Sequence, residues 1–284
     1  MGVVAVRREN HSHPNLPPEG EGAFCTATMS GKVYLVGAGP GAPDLLTLRA
    51  ARLLGRADIV FHDALVHPET LALATNAIKV AVGKRSGKLS TAQRFINKQL
   101  IDAAKKYQTV VRLKGGDPML FGRAQEEIDA LIQSGITLEI VPGMSAAFAA
   151  SAELQVSLTR RALSRSVVFA TPREAAGSKR NDWAKAAAAA DTAVLYMAAG
   201  EAQNVSDALL ANGVPASRPV VIVENATSDQ RKVIPTDVGN LPAAALCVGD
   251  GPALVMVGDV YAGLNATGLT GAYLPAARRR ESAV

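Results

Sequence analysis

Short β-branched runs alternate along this chain with longer stretches in which apolar residues recur at helical spacing. The runs predict strands over Lys32–Gly37, Asp58–His62, Ile78–Val82, Thr109–Leu113 and Thr137–Val141. Helical patterns lie between them at Leu45–Leu54, Pro68–Ala74, Ala92–Tyr107 and Arg123–Gln133. Strand and helix in this alternation predict a mostly parallel sheet covered on both faces.

The pattern changes at Pro142-Gly143. A small-residue helix, Ser145–Leu154, leads into an arginine-rich connector, Thr159–Arg165. A second set of strands follows at Ser166–Ala170, Thr192–Met197, Pro219–Glu224, Lys232–Pro235 and Ala253–Val257. Its helices are Asp182–Ala190, Glu201–Asn212 and Asn240–Leu246, the alanine run in the first being a plain helix former. The expectation is an α/β protein of two α/β domains with mostly parallel sheets, residues 31–143 and 144–265, with the active site in the cleft between them. Residues 1–30, rich in Gly, Pro and Glu, read as a disordered arm, and residues 266–284, with Arg278-Arg279-Arg280, as a polar basic tail. Met29 stands just before the first strong strand and is an alternative start.

Composition narrows the function. Hydrophobic residues at 48% and charged residues at 19% fit a soluble globular chain. Aromatics at 4% argue against base-stacking platforms, hence against nucleic acid as a partner. The net charge of +5 suits an acidic ligand. Cys25 and Cys247 lack metal-ligand spacing, and His11 and His13 lie in a polar stretch, so no metal is expected. No run has the length of a membrane span or the layout of an export signal, which gives a cytoplasmic reading.

Ligands of parallel sheets bind beyond the carboxyl ends of the strands. The first five strands end in Gly37-Ala-Gly39-Pro40-Gly41, His62-Asp63, Gly83-Lys84-Arg85, Lys114-Gly115-Gly116-Asp117-Pro118 and Pro142-Gly143-Met144-Ser145-Ala146. Each closes on glycine, charge or both, which points to one shared cleft. The first loop also satisfies the dinucleotide fingerprint in its G-x-G-x-x-A form, with Asp58 about 20 residues on, so a nicotinamide-dependent oxidoreductase is a rival. Pro40 and Pro43 oppose that reading, because proline inside the run removes a phosphate-binding amide. The helix then begins only after Asp44 or Thr47, either of which is a suitable cap. Arg112 and Lys114 lie two apart and share one strand face. Arg123 admits an anionic ligand or a salt bridge to Glu126 or Glu127.

These loops, in this order, resemble the uroporphyrinogen-III C-methyltransferases of the tetrapyrrole methylase family. The matching segments are Val33–Gly41, Pro43–Leu48, Val82–Arg85, Val111–Pro118, Phe121–Arg123, Val141–Gly143, Leu195–Met197 and Val223–Asn225. The resemblance implies a methyltransferase, a homodimer of two-domain subunits with S-adenosyl-L-methionine (SAM) in the cleft between the domains. SAM would touch Pro40, Gly115, Gly116, Asp117, Leu120, Ser145, Ala146, Met197 and Ala226. It further implies methylation of uroporphyrinogen III at C2 and C7 to give precorrin-2, for sirohaem or cobalamin. Asp63 matches the proton acceptor and Lys84 the donor; the alternative is a structural ion pair between them. The substrate's eight carboxylates call for guanidinium groups, and the candidates are Arg85, Arg112, Arg123, Arg160, Arg161 and Arg165.

The chain departs from the family pattern at Ala42, Ala64, Arg160, Leu163, Pro172 and Arg173, mostly on the expected substrate side. Rival readings are another precorrin methyltransferase or an RNA 2′-O-methyltransferase of the same fold, and a non-catalytic SAM or tetrapyrrole sensor.

Overall fold

In the computed structural model, which describes residues 31–82, 89–174 and 182–265, the first alternation of strand and helix winds into a single parallel sheet. Its strands are β1 (Lys32–Gly37), β2 (Ile59–His62), β3 (Ile78–Ala81), β4 (Thr109–Lys114) and β5 (Leu138–Val141), in spatial order β3-β2-β4-β1-β5. The helices between them are α1 (Leu48–Leu54), α2 (Pro68–Ala72), α3 (Leu89–Ala104) and α4 (Ala124–Gln133). Strand side chains alternate between the faces, so β-branched runs bury both. Val36, Val60, Val111 and Leu113 pack toward α1 with Ala50, Leu53 and Leu54. Val33, Ile59, Phe61 and Val110 pack toward α3 and α4 with Leu100, Ala103 and Leu131. Arg112 and Lys114 alternate with Val111 and Leu113, which sends them to the α3–α4 side.

The helix pattern beginning at Leu45 resolves into two pieces. Pro43–Leu45 is a short 3₁₀ turn, and Leu46 is extended at ψ 140°. The α-helix starts afresh after Thr47, whose hydroxyl accepts from the Ala50 amide at 3.2 Å. Proline fixes the first turn and the threonine cap defines the second start, so the expected cap at Thr47 is the one used.

Helix α5 (Ala146–Leu154) follows β5 directly and packs on a second sheet. That sheet comprises β6 (Val167–Ala170), β7 (Thr192–Tyr196), β8 (Pro219–Glu224), β9 (Lys232–Asp237) and β10 (Ala253–Gly258), in order β6-β7-β10-β8-β9. Strands β6, β7 and β8 share one direction, and β9 and β10 oppose it. The segment between β8 and β9 is too short for a crossover, so that pair is antiparallel. Helices α6 (Trp183–Ala189), α7 (Ala202–Ala211) and α8 (Leu241–Ala245) cover one face, over Leu195, Ile222 and Val255. Helix α5 and the 3₁₀ segment Asp259–Asn265 cover the other, over Val194, Val221 and Met256. Truncating a fully buried side chain such as Leu195 to alanine costs about 2–5 kcal/mol.

Candidate active site

At the carboxyl edge of the first sheet, three loops meet backbone to backbone. Gly39, after β1, pairs with Gly116, after β4: each amide donates to the other's carbonyl, at 3.2 and 2.7 Å. Gly143, after β5, completes the junction. A side chain on Gly37 would sit 2.5 Å from the Gly143 Cα, and one on Gly143 would sit 2.3 Å from the Gly116 carbonyl oxygen. The three loops can converge only without side chains at these points. Asp117 ties them further, its carboxylate accepting from the Gly143 amide at 2.9 Å and the Met119 amide at 2.8 Å. Gly116 has φ +67°, and nothing stands within 4 Å of where its Cβ would be. The junction therefore presents bare backbone to open space, as a tightly approaching ligand requires.

Beside it lies a buried charge cluster. Glu127 of α4 is fully buried, and one of its oxygens accepts from Arg112 Nε, Lys114 Nζ and Gln93 Nε2, each at 3.1 Å. The other oxygen is buried with no hydrogen-bond partner among the described residues. Arg112 is 2% exposed and donates through Nη2 to Asp63 at 2.6 Å. Asp63, at the end of β2, is 30% exposed and is the member of the cluster that reaches solvent. Two cations and two carboxylates balance in charge, which makes their burial tolerable. Loss of hydration lowers the Lys114 ammonium below its ordinary value, with the Arg112 cation adding to this and Glu127 and Asp63 opposing it.

The second sheet supplies the facing wall. Ser145 caps α5 and lies 2.5 Å, hydroxyl to hydroxyl, from Tyr196 at the end of β7. Burial raises the Tyr196 phenol above its ordinary value. Phe121 stacks on Tyr196 at 5.0 Å between ring centres, joining a first-sheet loop to a second-sheet strand. Phe169 and Phe148 extend this aromatic row. Met197 has φ +56° and is 43% exposed, so it is not a core methionine. Ala226 and Thr227, after β8, close the wall against the glycine loop: the Ala42 amide donates to Thr227 Oγ1 at 2.9 Å.

The residues expected in the site are distributed unevenly. Pro40, Gly115, Gly116, Asp117, Leu120, Ser145 and Ala146 lie in the loops beyond β1, β4 and β5, and Met197 and Ala226 follow β7 and β8. Arg112, expected to bind substrate, is committed instead to Asp63, Glu127 and the Leu113 carbonyl; the two-residue strand period carries it inward under α4. Arg123 makes a two-pronged ion pair with Glu126 and has φ +54°. Arg160 and Arg161 are exposed in a turn closed by hydrogen bonds between Arg160 and Ser164, and Arg165 is also exposed. Lys84 and Arg85 lie outside the described residues.

Sequence reasoning did not single out Glu127 as the centre of the cluster, nor Gln93, Tyr196 or Thr227. Glu127 carries a signal all the same, since it shares the apolar stripe of α4 with Ala124, Ile128 and Leu131. A carboxylate on such a stripe needs a buried cation.

With this geometry in hand, known proteins give it a context. The family model described as Tetrapyrrole (Corrin/Porphyrin) Methylases matches residues 32–242. A sirohaem synthase of Aeromonas hydrophila is 43% identical over 262 residues, covering 92% of this chain and 55% of its own. A sirohaem synthase of Chromobacterium violaceum is 42% identical over 236 residues, covering 82% and 50%. The chain thus spans about half the length of these curated relatives. The crystal structure of a uroporphyrin-III C-methyltransferase from Thermus thermophilus, complexed with S-adenosylhomocysteine, superposes with a TM-score of 0.70 at 35% identity. It covers 81% of this chain and 98% of that one. A cobalt precorrin-4 methyltransferase superposes with a TM-score of 0.73 at 27% identity, covering 82% of this chain and 96% of that one. A match across most of the two sheets and the loops that join them settles the lineage: the chain is a methyltransferase that belongs to the tetrapyrrole (corrin/porphyrin) methylases.

Proposed function

We propose that this chain methylates uroporphyrinogen III at C2 and C7 with SAM as donor, giving precorrin-2 for sirohaem or cobalamin, and works as a cytoplasmic homodimer. The observation that carries the reading is the glycine junction. Its backbone is bare at Gly116, where φ is +67° and a Cβ would meet nothing, and the buried Ser145, two residues after Gly143, meets Tyr196, the neighbour in sequence of the exposed Met197. The residues fit a compact sulfonium nucleoside, and a dinucleotide fits poorly. A pyrophosphate needs helix amides directly after the glycines, whereas α1 begins only after Thr47. Likeness to the Thermus thermophilus enzyme over 98% of its length supports the same donor.

In this reading the chain has two domains meeting near residue 143, and the donor lies between them. Pro40, Gly115, Gly116, Asp117, Leu120, Ser145, Ala146, Met197 and Ala226 hold it. SAM supplies an activated methyl group, and the electron-rich pyrrole carbon is the nucleophile. The protein's task is alignment and exclusion of water. Asp63 takes the proton lost as the ring rearranges, at the carboxylate that Arg112 orients, and Lys84 returns one. Arg85, Arg123, Arg160 and Arg161 meet the substrate's carboxylates, the last two from an exposed turn.

Calorimetric titration of the purified chain with S-adenosylhomocysteine and, separately, with NAD tests the donor. Binding of the first and not the second is expected; the reverse would return the oxidoreductase reading. Release of S-adenosylhomocysteine on anaerobic addition of SAM and uroporphyrinogen III tests the acceptor, and no release despite donor binding would move the acceptor to another tetrapyrrole.

A further inference from the structure

We propose that Thr227 is a positioning residue of the donor cleft: its hydroxyl clasps the glycine loop after β1 to the loop after β8 and so sets the separation of the two segments that face the donor. The inference rests on the donor site proposed above and adds a residue to it.

Three contacts in series make the clasp. The Ala42 amide donates to Thr227 Oγ1 at 2.9 Å, across 185 residues of chain. The Thr227 amide donates to a Glu153 carboxylate oxygen at 3.0 Å, from α5. The other Glu153 oxygen accepts from Arg231 Nη1, also at 3.0 Å, in a pair whose side chains are 19% and 14% exposed. The chain of contacts thus runs from Arg231 through Glu153 and Thr227 to the glycine loop.

The backbone at the clasp is forced. Thr227 has φ +67°, the left-handed region that a β-branched residue adopts only under constraint; Asn225, a residue type that enters it readily, has φ +52°. Strain of this kind persists where surrounding contacts over-determine it, and it gathers at ligand sites. The two loops are also in direct contact. A Cβ on Gly41, where φ is +151°, would stand 3.0 Å from Thr227 Oγ1 and 3.3 Å from the Ala226 carbonyl. Pro40 lies two residues before Ala42, and Ala226 immediately precedes Thr227, so both donor contacts are one or two residues from the clasp. Releasing it frees both walls at once, whereas Asp63 and the basic turn at Arg160–Arg161 take no part in it.

The test is S-adenosylhomocysteine affinity by calorimetry for the whole chain, Thr227→Val and Thr227→Ser. Valine keeps the shape and the backbone strain and removes only the acceptor. A half-buried amide left without its partner should raise Kd about fivefold or more. The KM for SAM should rise in step, with kcat and the tetrapyrrole KM unchanged. Serine restores the acceptor and should return Kd to within about twofold of the parent. Parent-like affinity in Thr227→Val, or a serine variant as weak as the valine one, would overturn the inference. Should the valine variant fail to fold, Gly41→Ala pushes the same loops apart and should weaken binding in the same direction; unchanged affinity there overturns it equally. Failure of the parent chain to bind S-adenosylhomocysteine would instead remove the donor site itself.

Discussion

The two sheets of this molecule bury different things. The first sheet is wholly parallel, and beneath its carboxyl edge it encloses Arg112, Lys114 and Glu127 at no more than 3% exposure. The second sheet mixes strand directions and buries alanine, valine, leucine and one tryptophan, with Glu224 as its single buried carboxylate among the described residues. Glu224 accepts the Gly251 amide at 3.0 Å and faces Lys232, whose side chain is 54% exposed. The carboxylate of the first sheet thus gathers two buried cations and reaches Asp63 through one of them, while that of the second pins a turn. Polar chemistry belongs to the first sheet, and the second contributes a wall of aromatic and apolar groups closed by Tyr196, Met197 and Thr227. The proposed reaction needs both, because its donor and its polyanionic acceptor have to be pressed together in a dry place.

This contrast can be broken or sharpened by substitution. The largest effect is expected at Asp63. Asp63→Asn should lower the rate of methyl transfer about 10²- to 10⁴-fold while S-adenosylhomocysteine still binds, as steady-state rates and calorimetry together would read. Next comes the cluster behind it. Glu127→Ala leaves Arg112 and Lys114 buried without their carboxylate and should cost about 3–5 kcal/mol in urea unfolding. The matching change in the second sheet, Glu224→Ala, should cost only about 1–3 kcal/mol, since Lys232 can turn to water. Equal costs would erase the distinction between the sheets. Smaller again, Tyr196→Phe removes the partner of the Ser145 hydroxyl and should cost about 1 kcal/mol, read by the same unfolding curve.

The smallest effect concerns pH. The Arg123 hydrogen bond holds the Glu126 carboxyl below its ordinary 4.5. A carboxyl lowered on folding stabilises the folded state at pH values above its unfolded pKa, and that contribution is lost as pH falls through the lowered value. Both side chains are substantially exposed, so the pair is worth a few tenths to about 1 kcal/mol. Arg123→Met should lower the thermal midpoint slightly at pH 7 and by progressively less as the pH falls below 4.5; an equal difference throughout would mean that packing, and not charge, is what the arginine supplies.

Much of this architecture was legible in the chain. Short β-branched runs located the ten strands found among the described residues, and the glycine and charge that end the first five pointed to the edge where the loops after β1, β4 and β5 meet. Thr47 was readable as one of two candidate caps, beside Asp44, and it is the one that caps α1. The direction of Arg112 was not legible. Strand period places it on the same face as Lys114, but which helix covers that face depends on the path from β4 through α4, and only there does Glu127 come opposite. Contacts of long range were hidden for the same reason: Ser145 meets Tyr196 across 51 residues and Ala42 meets Thr227 across 185, with no local pattern to announce either. The reversal of β9 and β10 follows from a short connection that sequence spacing shows, yet β-branched composition alone does not report strand direction.

The most direct test of the account is the mass of the product. Purified chain, uroporphyrinogen III and SAM carrying a trideuterated methyl group are incubated without oxygen, and the tetrapyrrole is read by mass spectrometry. The account predicts two deuterated methyl groups per tetrapyrrole, both on ring carbons, with none when Asp63→Asn replaces the parent over the same interval. An unmodified tetrapyrrole from a chain that binds S-adenosylhomocysteine, or label found on a carboxylate oxygen, would contradict it.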